Sequence, residues 1–246
     1  MVQATPTAET TPTVVLVHGA FADAGSWAGV IKALQAAGVK VQAPANPLRS
    51  VSGDAAYIAS VVSQIPGPVL LAGHSYAGAV ISAASPQAQN VVGLIYVAAF
   101  IPDEGETLQA LAEKATDSLL GPALRPAQFP MGAGEEPGVE LYVDPVQFPE
   151  IFAADLPADD AAVLAVSQRP VSAASFGEPM GPVGWKSLPS WAAISAHDLA
   201  IGPAGERVMA ERSGAEIVEI DGSHLFMISQ SQAVAELILQ AVAAVS

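Results

Sequence analysis

Apolar and polar positions follow two different patterns along the chain. Short apolar runs such as Thr13–His18 (T-V-V-L-V-H) and Pro68–Gly73 (P-V-L-L-A-G) show no internal alternation, which is typical of parallel strands buried on both faces. Amphipathic segments of helical period follow them. The same reasoning predicts strands over Val39–Ala43, Val91–Ala98, Trp191–Ala196 and Glu216–Ile220, and helices over about Ser26–Ala37, Asp54–Ile65, Tyr76–Ala84, Pro203–Ser213 and Gln230–Val245. This order predicts an α/β fold with a mostly parallel, doubly wound sheet of about six strands.

The strand–helix alternation stops over residues 102–188. This stretch is richer in Pro, Gly and acidic residues, with short helical patterns near Thr107–Lys114 and Pro157–Val166 and no strong strand pattern. We therefore expect one α/β domain, built from residues 13–101 and 189–246, that is interrupted by a helical insertion.

Composition narrows the class of protein. Of the 246 residues, 51% are hydrophobic and 13% are charged, which supplies a large core and excludes disorder of the whole chain. The net charge of -15 disfavours nucleic acid and anionic membranes as partners, so we expect a soluble protein. Cysteine is absent, which excludes disulfides and thiolate metal sites. Residues 1–12 are expected to form a flexible tail and are no signal peptide as they stand, so a cytoplasmic and a secreted or periplasmic location both stay open.

The sequence G-H-S-Y-A-G, Gly73–Gly78, lies between a predicted strand and a predicted helix. Nucleophilic serine chemistry needs an exposed hydroxyl on a sharp strand-to-helix turn, and small neighbours allow that turn. We therefore predict Ser75 as a nucleophile; the alternative is that Ser75 only caps the helix. The final glycine of the usual G-x-S-x-G pattern is replaced by Ala77, with Gly78 one place later, and we expect tighter packing there.

A serine nucleophile of this kind needs a base and an acid, which follow in the order Ser, Asp, His. His224 is the only histidine downstream of the predicted acid, Asp198, which itself follows a predicted strand at the carboxyl end where open sheets bind ligands. Asp103 is the alternative acid. Asp221 is only three residues from His224 and is poorly placed to reach its ring. The other histidines are interpreted as structural or solvent-facing: His18, His74 and His197.

The turn after His18 reads G-A-F-A-D-A-G. Such a turn of small residues can direct a backbone N–H at a developing oxyanion. We predict the N–H groups of Ala20 and Tyr76 as the two donors, with Phe21 as the alternative to Ala20. A simple strand-to-helix turn would require the same residues.

With these motifs in place, the chain resembles the branch of the α/β-hydrolase superfamily that contains small carboxylesterases, methylesterases and hydroxynitrile lyases. The resemblance implies that the insertion is a helical cap over Ser75 and that neither metal nor organic cofactor is needed. The family usually has Gly at the position of Ala77. The stretches that carry the resemblance are V-V-L-V-H-G-A-F-A-D-A-G-S-W (Val14–Trp27), A-P-A-N-P-L (Ala43–Leu48), G-P-V-L-L-A-G-H-S-Y-A-G (Gly67–Gly78), Y-V-A-A-F-I-P-D-E-G-E (Tyr96–Glu106), L-P-S-W (Leu188–Trp191) and V-E-I-D-G-S-H (Val218–His224).

The resemblance implies hydrolysis of a small-molecule carboxylic ester through an acyl-enzyme, by a monomer or homodimer. Alternatives on the same residues are hydroxynitrile lyase or perhydrolase activity, or a ligand-binding receptor on a hydrolase scaffold. The lyases of this branch carry Lys directly after the base and Thr after the histidine that ends the first strand, where this chain has Leu225 and Gly19. Apolar residues of the insertion are candidates to line a substrate pocket: Leu119, Leu124, Phe129, Phe148, Phe152 and Trp185.

Overall fold

The computed structural model describes residues 11–115 and 117–246, so most of the predicted tail over residues 1–12 lies outside the described residues. The strands, in chain order, are β1 (Thr13–Val17), β2 (Val41–Gln42), β3 (Val69–His74), β4 (Val91–Val97), β5 (Leu124–Phe129), β6 (Gly138–Val143), β7 (Val171–Ser172), β8 (Ser190–Ser195) and β9 (Glu216–Ile220). Six of them form one sheet in the order β2-β1-β3-β4-β8-β9, and every neighbouring pair in it is parallel. The predicted parallel sheet of about six strands is confirmed.

Capping residues fix the ends of some helices. The helices are α1 (Ala28–Ala36), α2 (Val51–Ser63), α3 (Ala77–Ala84), α4 (Leu108–Ala112), α5 (Leu120–Ala123), α6 (Phe148–Phe152), α7 (Ala158–Val166), α8 (Pro203–Ser213), α9 (Phe226–Ser229) and α10 (Ser231–Val245), with short 3-10 turns at Ala24–Trp27, Ser85–Gln87, Ala173–Gly177 and Gly184–Lys186. The Ser50 hydroxyl accepts a hydrogen bond from the N–H of Gly53 and caps α2. Pro203 opens α8, and Gly214, in the left-handed conformation, ends it.

The main sheet forms the centre of the core. Every residue of β1 and β3 is buried, as the uninterrupted apolar runs predict for strands covered on both faces. Helix α1 packs against α10 and α2 packs against α3, and these pairs cover the sheet. The strand order reverses direction between β1 and β3, so the crevice at their carboxyl ends is where such a sheet binds ligands.

The segment between β4 and β8 corrects one expectation. It contains helices α4 to α7, but also a second, antiparallel sheet of the strands β5, β6 and β7; the expectation that no strand occurs there was wrong. β5 contains Arg125 and Pro126, and β7 is two residues long. Edge strands tolerate proline, whereas central strands do not. Because β5 contains a proline and β7 is very short, neither segment shows the sequence pattern of a buried strand. We call residues 102–188 the insertion.

None of the helices within residues 11–115 and 117–246 combines the length and the apolar character that crossing a membrane requires.

Candidate active site

The carboxyl ends of four strands meet at one edge of the main sheet. Ser75 follows β3 directly, and the turn that contains Ala20 follows β1. Asp198 lies three residues after β8, and His224 lies four residues after β9. Because parallel strands end at the same edge of a sheet, residues far apart in sequence are brought together here.

The three residues predicted as nucleophile, base and acid form a continuous hydrogen-bonded chain. The Nε2 atom of His224 is 2.9 Å from the Oγ atom of Ser75, and its Nδ1 atom is 2.6 Å from Oδ2 of Asp198. Asp198 and His224 are fully buried, and Ser75 is 7% exposed. With the Nδ1–H donating to the carboxylate, Nε2 is left to accept the hydroxyl hydrogen. This arrangement can remove a proton from Ser75.

The turn that carries Ser75 is strained. Ser75 has a φ of 55°, in the left-handed region that non-glycine residues seldom adopt, as expected for a nucleophile on a sharp strand-to-helix turn. A Cβ on Gly73 would lie 2.7 Å from the carbonyl oxygen of Ala77, and a Cβ on Gly78 would overlap the carbonyl oxygen of Phe100. Close approaches therefore require glycine at Gly73 and Gly78, whereas Ala77 accommodates its Cβ.

The loops that carry the acid and the base are fixed to each other. The Ser195 hydroxyl donates to the carbonyl oxygen of Gly222 at 2.8 Å, and the N–H of His197 donates to the same oxygen at 3.1 Å. The strand-to-helix turn Gly73–Gly78, which we call the elbow, also contacts the loop that carries His224, because Nε2 of His74 is 3.0 Å from the carbonyl oxygen of His224. These hydrogen bonds fix the relative positions of Asp198, His224 and Ser75.

Asp198 is an ionised carboxylate despite its burial. Burial raises its pKa, but the neighbouring His224 lowers it by charge and by hydrogen bonding, and a hydrogen bond with Glu206 lowers it further. The Oδ1 atom also accepts from the N–H groups of Ala200, at 2.5 Å, and Ile201, at 3.0 Å. The net result is a pKa well below the usual value of aspartate, so the negative charge beside His224 is retained at neutral pH.

The turn after β1 presents one of the predicted backbone donors. The N–H groups of Ala20 and Tyr76 have no hydrogen-bond partner within the described part of the chain, whereas the N–H of Phe21 donates to the carbonyl oxygen of Arg169 at 2.9 Å. Gly19 has no room for a side chain, since a Cβ there would lie 2.8 Å from the Cβ of Ser75. The alternative donor, Phe21, is thus already engaged.

His18 and Asn46 hold that turn in place. Nε2 of His18 accepts from the N–H of Asn46 at 2.9 Å, so Nδ1 carries the hydrogen and donates to the carbonyl oxygen of Gly19 at 2.9 Å. The amide of Asn46 donates to the carbonyl oxygen of His18 at 3.1 Å. Burial lowers the pKa of His18, which keeps the ring neutral and the pattern of donors constant.

The side chain of Tyr76 fixes the second predicted donor. Its hydroxyl donates to Oδ2 of Asp54 at 2.9 Å, and Oδ1 of Asp54 accepts from the N–H of Arg49 at 3.1 Å. Burial raises the pKa of both Tyr76 and Asp54. The backbone of Tyr76 is therefore anchored by a buried polar contact at the start of α2.

The insertion contacts the base directly. The ring of Phe152, on α6, meets the ring of His224 edge-on with 4.7 Å between the centroids. The Ser223 hydroxyl donates to the carbonyl oxygen of Phe152 at 3.0 Å and also contacts the carboxylate of Asp155. Burial opposes the ionisation of Asp155, but hydrogen bonds from Ser223 and Ser229 outweigh it and lower its pKa. The carboxylate of Asp155 thus fastens the insertion to the loop that carries His224.

The other candidate acids and histidine lie apart from this chain of contacts. Asp103 pairs with Lys186 at 2.6 Å, and this contact lowers its pKa. The exposed His197 pairs with Asp221 at 2.8 Å. The structure therefore brings Asp198, and neither Asp103 nor Asp221, to the ring of His224.

A cavity of about 480 Å³ lies between the insertion and the loops that follow β4 and β8. Phe100, whose N–H donates to the carbonyl oxygen of Ser75 at 3.2 Å, forms part of its wall. Phe176, whose ring centroid is 6.4 Å from that of Tyr76, forms another part. The apolar members of its lining include Leu120, Leu124, Leu141 and Ala173.

Of the six insertion residues suggested as pocket candidates, Leu124 borders this cavity. Phe148 and Phe152 are buried and stacked on each other, with 5.0 Å between ring centroids. Phe129 lies under the guanidinium of Arg49, and the indole N–H of Trp185 donates to a backbone carbonyl at 2.9 Å. Leu119 is 43% exposed.

Several polar residues of this region were missed by the sequence analysis. Asn46 lies in the stretch A-P-A-N-P-L, whose recurrence in the resembled family was the available signal. Asp54 and Glu206 occur near helix starts, where acidic residues commonly face solvent, but here both are buried. Asp155 is in the insertion and has no distinguishing sequence pattern.

Comparisons with known proteins bear on the family and the fold of the chain. A sequence profile described as the alpha/beta hydrolase family matches residues 14–237. A carbendazim hydrolyzing esterase from Nocardioides sp. (strain SG-4G) is 32% identical over an alignment of 114 residues that covers 41% of this chain and 47% of that protein. The chain thus spans about half the length of this curated relative. Two solved structures share 21% identity: polyneuridine aldehyde esterase (TM-score 0.80, covering 94% of this chain and 98% of that one) and a pyrethroid hydrolase from Sphingobium faniae JZ-2 (0.76, 95% and 98%). At such identities the two structures show a shared fold.

Proposed function

The chain belongs to the alpha/beta hydrolase family, and on this premise we propose that it is a serine esterase that cleaves carboxylic esters of small molecules. The observation that carries the proposal is the chain of contacts from Ser75 through His224 to Asp198, with distances of 2.9 and 2.6 Å. The names of similar proteins support it, because two of them are esterases: a carbendazim hydrolyzing esterase and polyneuridine aldehyde esterase.

In the first half of the proposed reaction, Oγ of Ser75 attacks the carbonyl carbon of the ester while Nε2 of His224 takes the hydroxyl proton. The tetrahedral intermediate then breaks its bond to the alcohol oxygen, and His224 returns the proton to that oxygen. The products of this half are the free alcohol and an acyl group bound to Ser75. Asp198 keeps the imidazole oriented and stabilises its transient positive charge.

In the second half, a water molecule repeats the attack. Nε2 of His224 takes a proton from the water as its oxygen bonds to the acyl carbon, and the second tetrahedral intermediate releases Ser75, which recovers its proton from His224. The carboxylic acid leaves. At the end of the cycle Ser75 is protonated and His224 is neutral again, as before the reaction.

The negative oxygen of each tetrahedral intermediate needs hydrogen-bond donors. We assign the N–H groups of Ala20 and Tyr76, because both lack a partner in the described part of the chain while the N–H of Phe21 is bound to Arg169. One such donor stabilises a transition state by roughly 3 kcal/mol. The strained elbow and the Tyr76–Asp54 contact hold the second donor in place before substrate binds.

Two residues favour ester hydrolysis over cyanohydrin cleavage. Leu225, directly after His224, is buried and apolar, so the position that holds a Lys in the resembled lyases supplies no charge for a departing cyanide. Gly19 leaves the turn after β1 free of a side chain. The cavity of about 480 Å³, lined largely by apolar residues, favours esters with an apolar acyl or alcohol part.

The test is turnover of p-nitrophenyl acetate by the natural protein and by Ser75→Ala. We expect a burst of p-nitrophenol followed by steady turnover in the natural protein, and a loss of about 10⁵- to 10⁶-fold in kcat in the variant. Circular dichroism should be unchanged, because a serine at a helix start contributes only about 1 kcal/mol to stability. Binding of the ester without turnover would identify a receptor, and release of cyanide from mandelonitrile faster than ester hydrolysis would identify a lyase.

A further inference from the structure

We propose that Glu206 is a positioning residue of this site: a protonated carboxylic acid that donates a hydrogen bond to Asp198 and thereby fixes the carboxylate that orients His224. The protonation of Glu206 is a property of the folded protein and does not depend on the proposed function. The positioning role does rest on the proposed function, because it is expressed in the rate of ester hydrolysis.

Glu206 lies in the first turn of α8 and is 3% exposed. Its Oε2 atom accepts from the N–H of Ser195 at 3.1 Å, and its side chain forms a hydrogen bond with Asp198. Its Oε1 atom is buried and receives no hydrogen from any donor in the described part of the chain. A carboxylate would leave Oε1 unsatisfied, whereas a protonated carboxyl group gives Glu206 a hydrogen that it can donate to Asp198.

Charge decides which of the two carboxyl groups holds the proton. Two carboxyl groups in contact and out of water cannot both be ionised. Asp198 already accepts hydrogen bonds from His224 and from two backbone N–H groups, whereas Glu206 accepts from one N–H group. The negative charge therefore stays on Asp198, and Glu206 is neutral.

The groups that face Glu206 support the same assignment. Asp198, at the end of β8, and Asp117, from the insertion, are both acidic, and His224 lies beyond Asp198. Burial raises the pKa of Glu206 well above its usual value, and the negative charges of Asp198 and Asp117 raise it further. A neutral acid in this position adds a donor to Asp198 without adding a second charge beside the imidazole.

The proton on Glu206 can be measured without any assay of activity. Unfolded glutamate titrates near pH 4.3, so above that pH the native protein holds one proton more than the unfolded chain, and its stability falls as pH rises. In Glu206→Gln that proton does not exist. Between pH 5.5 and 7.5 the unfolding equilibrium constant of the natural protein should therefore rise about a hundredfold relative to that of the variant.

The control for this measurement is Glu211→Gln, an exposed glutamate on the same helix, which should leave the pH dependence unchanged. Infrared spectra at pH 7.5 should show a protonated carboxylic acid band that loses intensity in Glu206→Gln and is unchanged in Glu211→Gln. A stability difference between the natural protein and Glu206→Gln that does not vary with pH, or a band of undiminished intensity in this variant, would show that Glu206 is ionised and would overturn the proposal. Neither readout depends on esterase activity, so failure of the proposed function would be recognised separately.

The positioning role is tested by two substitutions of the same residue. Glutamine keeps a donor for Asp198 and an acceptor for Ser195, so kcat and KM of Glu206→Gln should stay within about threefold of the natural values. Leucine keeps the volume but removes both groups, so kcat of Glu206→Leu should fall about ten- to a hundredfold with KM little changed. Full activity in the leucine variant would refute the role. If leucine prevents folding, the glutamine variant still decides, because a loss of tenfold or more there would mean that a charged Glu206 is required.

Discussion

The parallel sheet and the insertion use polar side chains in different ways. Beside the sheet, the polar groups of the site are buried and bonded to one another, as Asp198 and His224 are. In the insertion, ion pairs lie at the surface: Arg125 and Asp144 pair at 2.8 Å with side chains that are 50% and 24% exposed. Buried polar contacts are costly to leave incomplete, whereas exposed pairs contribute little. The geometry of the site is therefore set mainly by residues beside the sheet, to which the insertion adds the contact of Asp155 with Ser223.

This contrast is tested most strongly by the two acids that the sequence left open. Asp198→Asn should lower kcat by about 10⁴-fold, because an asparagine no longer holds the imidazole in the required tautomer. Asp103→Asn, in the insertion, should change kcat by less than about threefold, since it only removes an exposed contact to Lys186. Steady-state kinetics with p-nitrophenyl acetate measure both. The opposite ranking would transfer the role of the acid to Asp103.

Two glycines, one beside the sheet and one in the insertion, test how much room each region has for an added side chain. In Gly19→Ala, the new Cβ would lie 2.7 Å from the carbonyl oxygen of His74 and 2.8 Å from the Cβ of Ser75. Displacing the nucleophile or a backbone donor should lower kcat about a hundredfold. Gly121→Ala, in the insertion, meets no atom within 4 Å and should leave kcat within about twofold. If kcat of Gly19→Ala stayed within about twofold as well, the turn after β1 would accommodate the new Cβ without a loss of activity.

Two tyrosines that donate to carboxylates give the smallest expected effects. Tyr76→Phe leaves Oδ2 of the buried Asp54 without its donor and should lower the free energy of unfolding by about 1–3 kcal/mol. Tyr142→Phe, on β6, removes a partly buried bond of 3.1 Å to Glu140 and should change it by less than about 0.5 kcal/mol. Urea denaturation measures both values. A larger loss in Tyr142→Phe would show that the insertion is as tightly determined as the core.

The same contrast explains how much could be predicted from the sequence. The central strands of the main sheet were recognisable because burial on both faces leaves continuous apolar runs, as in Val69–His74. In the insertion, β5 has the sequence L-R-P-A-Q-F with several exposed positions, and its pairing with β6 depends on contacts that no local pattern encodes. The hydrophobic pattern predicted the core and missed the second sheet.

The candidate site shows a similar division. The contact between Ser75, His224 and Asp198 could be predicted because each follows a strand and their order along the chain is fixed by the fold. Asp54 and Glu206 could not, because an acid near a helix start is usually explained by its favourable interaction with the helix dipole. Only the tertiary structure shows that each is buried against a site residue, Tyr76 and Asp198 respectively.

In the proposed reaction Ser75 carries the acyl group during turnover. Rapid acid quenching of the natural protein while it turns over p-nitrophenyl acetate, followed by peptide mass spectrometry, detects this acyl group. We expect an acetyl group on Ser75 in an amount that matches the burst of p-nitrophenol, and no such adduct in Ser75→Ala. An acetyl group on another residue that accounts for the burst, or undiminished turnover by Ser75→Ala, would show that Ser75 is not the nucleophile.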